Sequence, residues 1–193
     1  MPVEINPVFL HKKYLFRKKF LKLFGAEFYV YDESKHLVFY SKQKAFKLKE
    51  DFRIYSNENQ TKELLRIKTP EIFDIGATYS VFDTSNSENI GAIKRQAIKS
   101  FFKDEWIFLS NDKAEIGKLT EKSTTGALLS RIIRLIPQQY VILANNRIIA
   151  KIRRHFNPFI LKYTLEINPE PIIDRRLLIS AVILLCGIEG REG

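Results

Sequence analysis

The sequence predicts a mainly β protein in which a closed sheet of about eleven or twelve short strands encloses a hydrophobic C-terminal helix. One observation is the run Leu177–Ile188, twelve residues without a charge, five residues from the chain end. An apolar stretch of about 10–14 residues is too short to cross a bilayer and reads as a buried helix. A helix that is apolar all round must be enclosed on every side. A second observation is that almost everything before it reads as short strands separated by polar turns. A third is an internal echo: Gly25-Ala26-Glu27-Phe28-Tyr29-Val30-Tyr31-Asp32 returns 51 residues later as Gly76-Ala77-Thr78-Tyr79-Ser80-Val81-Phe82-Asp83. Asp at a strand end favours a turn, because its side chain accepts hydrogen bonds from its own following backbone.

The elements follow in order. Lys12–Lys22 interleaves cations and aromatics. As a helix it would set Phe16, Phe20, Leu23 and Phe24 opposite Arg17, Lys18 and Lys22, which suits a membrane surface. As a strand it would turn aromatics inward and cations outward. The first copy of the echo resumes as Leu37–Tyr40, a hairpin, and the second as Ile90–Ile93. Between them, Phe52–Tyr55 turns through Ser56–Gln60 into Glu63–Ile67. Trp106–Leu109 turns through Ser110–Lys113 into Glu115–Leu119, and Tyr140–Leu143 turns through Asn145-Asn146 into Ile148–Ile152. Paired Asn suits a tight hairpin that needs positive φ. Phe159–Ile167 follows the turn signal Asn157-Pro158 as a last strand. One interruption reads as helical: Ser123-Thr124 caps a segment with Leu128, Leu129, Ile132, Ile133 and Ile136 inward, ended by Pro137, with Arg131 and Arg134 on its polar face. The closing helix runs over about 174–187, with Asp174 at its N-terminus and Gly187 at its end.

Composition fits a single domain over 1–193, with 45% apolar and 28% charged residues. The lone Cys186 excludes an intrachain disulfide and is expected to behave as a small hydrophobe in a reducing compartment. No secretory signal pattern opens the chain, so a cytoplasmic location, peripheral on a membrane, is expected. The net charge of +10 is unevenly placed: residues 1–24 carry +5, residues 122–165 carry +8 without a single acid, and the rest nets −3. Such concentration points to an anionic partner.

With these features in hand, the chain resembles the tubby C-terminal-like superfamily, in its LURP-one-related and phospholipid scramblase-like branch. The resemblance is carried by Val30-Tyr31-Asp32 and Val81-Phe82-Asp83, by Ile90-Gly91-Ala92-Ile93-Lys94-Arg95 and Glu115-Ile116-Gly117-Lys118-Leu119, and by the apolar segment after Asp174-Arg175-Arg176. It spans about Tyr14 to Ile188. It implies a twelve-stranded barrel threaded by the terminal helix, and it implies that Lys12–Lys22 is the first strand, since a short barrel needs all its strands. Tubby-like domains are associated with phosphoinositide headgroups, and scramblase-like members with membranes. The Cys-rich stretch of the scramblases has no counterpart, and no lipid-contacting motif matches residue by residue, so no site is carried over.

Catalytic and metal chemistry find no support in the residues. His11, His36 and His155 are scattered without the spacing of a zinc site. Asp83–Glu88 lacks the Gly of a calcium loop and places Lys94 where a bidentate Glu should stand, so it reads as a hairpin turn. Asp104 and Glu105 point to opposite strand faces, wrong for an acid/base pair. There is no nucleophile elbow and no phosphate-cradling glycine loop. The protein is therefore expected to be a non-enzymatic, cofactor-free barrel that binds anionic phospholipid or phosphoinositide headgroups as an adaptor or scaffold. The candidate headgroup residues are Lys12, Lys13, Arg17, Lys18, Lys42, Lys44, Arg131, Arg134, Arg153 and Arg154. Two alternatives stand beside it: a nucleic-acid-associated basic barrel, whose affinity would fall steeply with salt, and a scramblase-related activity, for which the apolar run is too short to span.

Overall fold

The computed structural model describes residues 5–21, 25–43, 51–68, 77–97, 104–122, 138–156 and 160–189. Among these, a short 3₁₀ turn (Pro7–Phe9) leads into twelve strands. They are β1 (Lys13–Leu21), β2 (Gly25–Tyr31), β3 (Leu37–Gln43), β4 (Phe52–Tyr55), β5 (Glu63–Lys68), β6 (Thr78–Asp83), β7 (Glu88–Ala97), β8 (Asp104–Leu109), β9 (Glu115–Glu121), β10 (Gln139–Ala144), β11 (Arg147–His155) and β12 (Leu161–Ile167). Each strand pairs antiparallel with its sequence neighbours, and β1 pairs with β12, so the sheet closes with no free edge. A helix over Arg175–Glu189 fills the interior.

All five expected hairpins form. Their turns use the chemistry expected of them: Asn145 and Asn146 take positive φ (48° and 59°), as a two-residue hairpin requires. Asp32 Oδ1 accepts from His36 N at 2.8 Å, and Asp83 Oδ1 accepts from Ser85 N at 2.9 Å, so both ends of the echo cap their own turns. The Asp83–Glu88 segment is a hairpin turn, as its sequence implied. Gly91, at φ +139°, sits where a Cβ would lie 2.4 Å from Leu109 O and 3.2 Å from a methyl of Leu177. Only the absence of a side chain lets β7, β8 and the helix approach there. The expected helix carrying Arg131 and Arg134 lies outside the described residues.

The core is the helix and the inward half of every strand. Residues Arg176 to Gly187 are all buried, with Leu178, Ile179, Val182, Leu184 and Leu185 at 0% exposure. They pack against Tyr14, Phe16, Phe28, Ile54, Leu65, Val81, Phe108, Ile142, Tyr163 and their neighbours, with Phe9, Tyr14 and Phe39 stacked at one end. Cys186 is a buried free thiol, as expected. At 1.5 Å per residue the helix is about 22 Å long, comparable to a strand of six or seven residues. The interior is thus filled by the chain itself, and no helix among the described residues is long and apolar enough to cross a membrane.

Candidate functional site

A filled barrel leaves its outer wall for partners, and the wall's charges are set by strand parity. In β1 the even positions Tyr14, Phe16 and Lys18 point inward and Lys13, Arg17 and Lys19 point outward. In β11, Ala150 and Ile152 are inward and Lys151, Arg153 and His155 outward; in β12, Tyr163 and Leu165 are inward and Lys162, Thr164 and Glu166 outward. Because β12 lies between β1 and β11, the register assembles rows across three strands. Lys13, Glu166 and Lys151 form one row; Leu15, Thr164 and Arg153 form the next; Arg17, Lys162 and His155 form the third. Neighbouring strands lie about 4.8 Å apart, so these cations share one continuous patch.

Elsewhere on the wall, four outward cations meet carboxylates: Arg53 and Arg66 both bond Glu63 (3.1 and 2.8 Å), Lys118 meets Glu105 (3.1 Å) and Lys42 approaches Glu27 (3.7 Å), while Lys68 lies over the Phe82 ring at 4.8 Å. On the β1–β12–β11 face the ion pair among described residues is Lys13–Glu166 at 2.9 Å. Arg17, Lys19, Lys151, Arg153 and Lys162 make no ion pair with those residues, although Glu166 and Glu27 stand across from Lys151 and Lys19 in the register. Arg17 instead lies 5.8 Å from the Tyr31 ring centroid. His155 reports the resulting field: burial, then the charges of Arg153, Lys162 and Lys13, hold its imidazole below the ordinary 6.5. Its Nε2 lies 2.6 Å from Thr164 Oγ1 in the same patch.

The structure brings together three of the sequence-predicted residues, Lys13, Arg17 and Arg153, with Lys12 exposed at the patch's edge. Lys42 is exposed on β3, separated from the patch by Glu27 and the Tyr29–Tyr40 pair, both of whose hydroxyls donate to Glu27. Lys44, Arg131 and Arg134 lie outside the described residues. Two expectations need correction. Lys18 is 2% exposed and points into the barrel, where its Nζ donates to the carbonyls of Cys186 (2.8 Å) and Gly187 (3.3 Å). Those carbonyls belong to the last turn of the helix, at the negative end of its dipole. Arg154 shares the inward parity of Ile152, pairs in register with the buried Tyr163 and donates to Gln138 Oε1 at 2.8 Å. Lys18 and Arg154 are therefore withdrawn from the outer face. Lys19, Lys151, Lys162 and His155 are the members missed; period-two parity places each outward once the strand is known, but only register joins them.

At the opposite end from Lys18, Arg176 is 4% exposed and holds the start of the helix. Its Nη1 donates to Asp83 (2.7 Å) and Glu88 (3.0 Å), and its Nη2 to Asp174 (2.6 Å). Burial opposes its charge, but the bonds to Asp174 and Asp83 outweigh that and raise its pKa further above the ordinary range. The carboxylates that superficially suggested a calcium loop thus serve a guanidinium. Among the described residues, no group of His, Cys, Asp and Glu is arranged to hold a metal ion.

Comparison with known proteins agrees with this architecture. A model of the family described as LURP-one-related matches residues 12–186. An X-ray structure of a protein from Arabidopsis thaliana is similar in fold, with a TM-score of 0.53 and 16% identity over 96% of this chain and 97% of that one. No curated protein matches the chain by sequence. The family match covers the barrel from the start of β1 almost to the end of the threaded helix, and the chain belongs to the LURP-one-related family, whose tubby-like barrel is a non-catalytic binding scaffold.

Proposed function

We propose that the outer face of β1, β12 and β11 docks the protein peripherally on anionic phospholipid headgroups. The observation that carries this reading is the grid of Arg17, Lys19, Lys151, Arg153 and Lys162, gathered by register on one face and making no ion pair among the described residues, whereas Arg53, Arg66, Lys118 and Lys42 elsewhere on the wall meet carboxylates. Like charges a strand apart repel one another, and an anionic surface relieves that repulsion at several points together. Each Lys or Arg near an anionic bilayer contributes about 1 kcal/mol, which falls off within a Debye length.

Vesicle flotation across a salt series tests the reading. The protein is expected to float with phosphatidylserine or phosphoinositide vesicles at low salt, to stay behind with neutral ones, and to lose binding as salt rises. Arg17→Ala with Lys162→Ala removes two charges and is expected to weaken binding roughly thirtyfold, whereas Arg53→Ala, on the paired wall, leaves it unchanged. Equal behaviour toward neutral and anionic vesicles at low salt rejects the proposal. Retardation of nucleic acid in a gel without vesicle binding would transfer the face to the other class of polyanion.

A further inference from the structure

The lower edge of the basic face, at the helix N-terminal end of the barrel, exposes three large aliphatic side chains. Leu10 (52% exposed) lies three residues before β1, Ile148 (41%) opens β11, and Ile172 (62%) follows β12. Ile148 is in β11, and Leu10 and Ile172 lie on the segments that enter β1 and leave β12, the strands that carry the cations. Their segments are also tied together. Arg175, three residues after Ile172, donates from Nη1 to His11 O (2.9 Å) and from Nη2 to Asn168 O (3.2 Å) and Pro169 O (2.9 Å). Asn168 Nδ2 donates to Ile148 O at 2.8 Å, and Ile167 N to Lys12 O at 2.8 Å. One guanidinium and one amide therefore hold the chain beside Leu10, Ile148 and Ile172 in a fixed arrangement. A single exposed aliphatic residue needs no explanation, and Phe156, at the other end of β11, is such a case. Three at one edge, on stitched backbone, are different.

We infer that Leu10, Ile148 and Ile172 form a wedge that enters the interfacial layer of the anionic bilayer on which the basic face docks. The inference rests on the proposed docking and adds its orientation. The charges beside the wedge choose the occupant. Lys12 lies two residues after Leu10 and Arg147 directly before Ile148, and in the row above Lys13 and Lys151 flank the single carboxylate of Glu166. A second copy of this chain seated here would set one cationic grid against another, whereas anionic headgroups complement the cations while their acyl boundary accepts the aliphatic tips. Membrane-surface elements combine apolar and basic residues in this way. The wedge supplies the part of the binding that salt does not screen.

The test uses the full chain with buried Cys186 left in place. An environment-sensitive fluorophore is attached to a cysteine at position 172 (Ile172→Cys) or, as reference, at position 59 (Asn59→Cys), on the exposed β4–β5 turn of the opposite wall. Phosphatidylserine vesicles are expected to shift the emission of the probe at 172 to the blue and to leave that at 59 unchanged. Ile148→Asp with Ile172→Asp is expected to keep the wild-type melting midpoint, since both side chains are exposed. It should lower vesicle binding at high salt by about tenfold or more, on the scale of burying an aliphatic side chain. A wild-type protein that binds in a salt-dependent manner while the probe at 172 stays aqueous, and a double variant that binds as well as wild type, overturn the wedge and leave the docking face standing. A blue shift that grows with protein concentration without vesicles assigns the edge to protein contact and also overturns it. Absence of any binding to anionic vesicles removes both proposals together.

Discussion

Arg176 and Lys18 are both buried cations at the ends of one enclosed helix, yet they are neutralised by different means. Arg176 sits in the first turn, where the helix dipole and unpartnered N–H groups already supply positive character and disfavour a further cation. It is accommodated by Asp174, just before the helix, and by Asp83 and Glu88, the two ends of the β6–β7 hairpin turn. Lys18 meets the other end, where its Nζ donates to the carbonyls of Cys186 and Gly187 and the negative end of the dipole attracts an ammonium directly. The difference teaches that a buried cation can draw on the backbone field where that field suits it, and is surrounded by carboxylates where the field opposes it.

The sharpest way to break this comparison is Arg176→Leu. It strands Asp83, which is nearly fully buried, and releases the start of the helix; unfolding in urea is expected to show a loss of about 3–5 kcal/mol. Adding Asp83→Asn should recover a measurable share, because part of the loss is the orphaned carboxylate. Lys18→Met is expected to cost less, about 1–3 kcal/mol, since the helix-end acceptors at Cys186 and Gly187 are neutral carbonyls rather than a buried carboxylate. A Lys18 loss equal to the Arg176 loss would show that the dipole end is no easier to satisfy than the carboxylate cluster.

Acid titration sharpens the same contrast. Burial pushes the Asp83 carboxyl up, but its hydrogen bonds from Ser85 and Arg176 outweigh burial and hold it below the ordinary 3.8. A carboxyl more acidic in the folded than in the unfolded chain contributes its full stability above its unfolded pKa and loses it as pH falls through the folded value. Denaturation midpoints measured from pH 6 downward are therefore expected to fall below about pH 4, and Asp83→Asn should flatten that fall. The smallest effect belongs to Ser180, whose fully buried hydroxyl has no hydrogen-bond partner among the described residues. Ser180→Ala is expected to be neutral or to stabilise by up to about 1 kcal/mol, read from the melting midpoint, because it removes an unsatisfied polar group. A clear destabilisation would mean that the hydroxyl has a partner and that the middle of the helix is not the apolar stretch between two charged ends.

The fold was legible because its signals are local. Asp32, Asp83 and Asn145-Asn146 mark turns through their own backbone preferences, and the Leu177–Ile188 run demands enclosure wherever it lies in space. The candidate site was legible only in part. Parity in β1 already puts Lys18 on the side of Tyr14 and Phe16, but a lysine reads as exposed unless its compensation is known, and that compensation comes from carbonyls 168 and 169 residues away. Arg153 and Arg154 illustrate the same point: adjacent in sequence, they fall on opposite sides of the wall, and no charge count separates them.

Hairpin pairing, the buried terminal helix and a count of about eleven or twelve strands were thus determined by the sequence alone, since each depends on residues a few positions apart or on the total apolarity of one segment. Tertiary structure decided the rest: closure of β1 on β12, the gathering of Arg17, Lys162 and Arg153 into one face, and the opposite fates of Lys18 and Arg176. The physical reason is that charge is judged by its surroundings, and in a closed barrel those surroundings come from strands at the two ends of the chain.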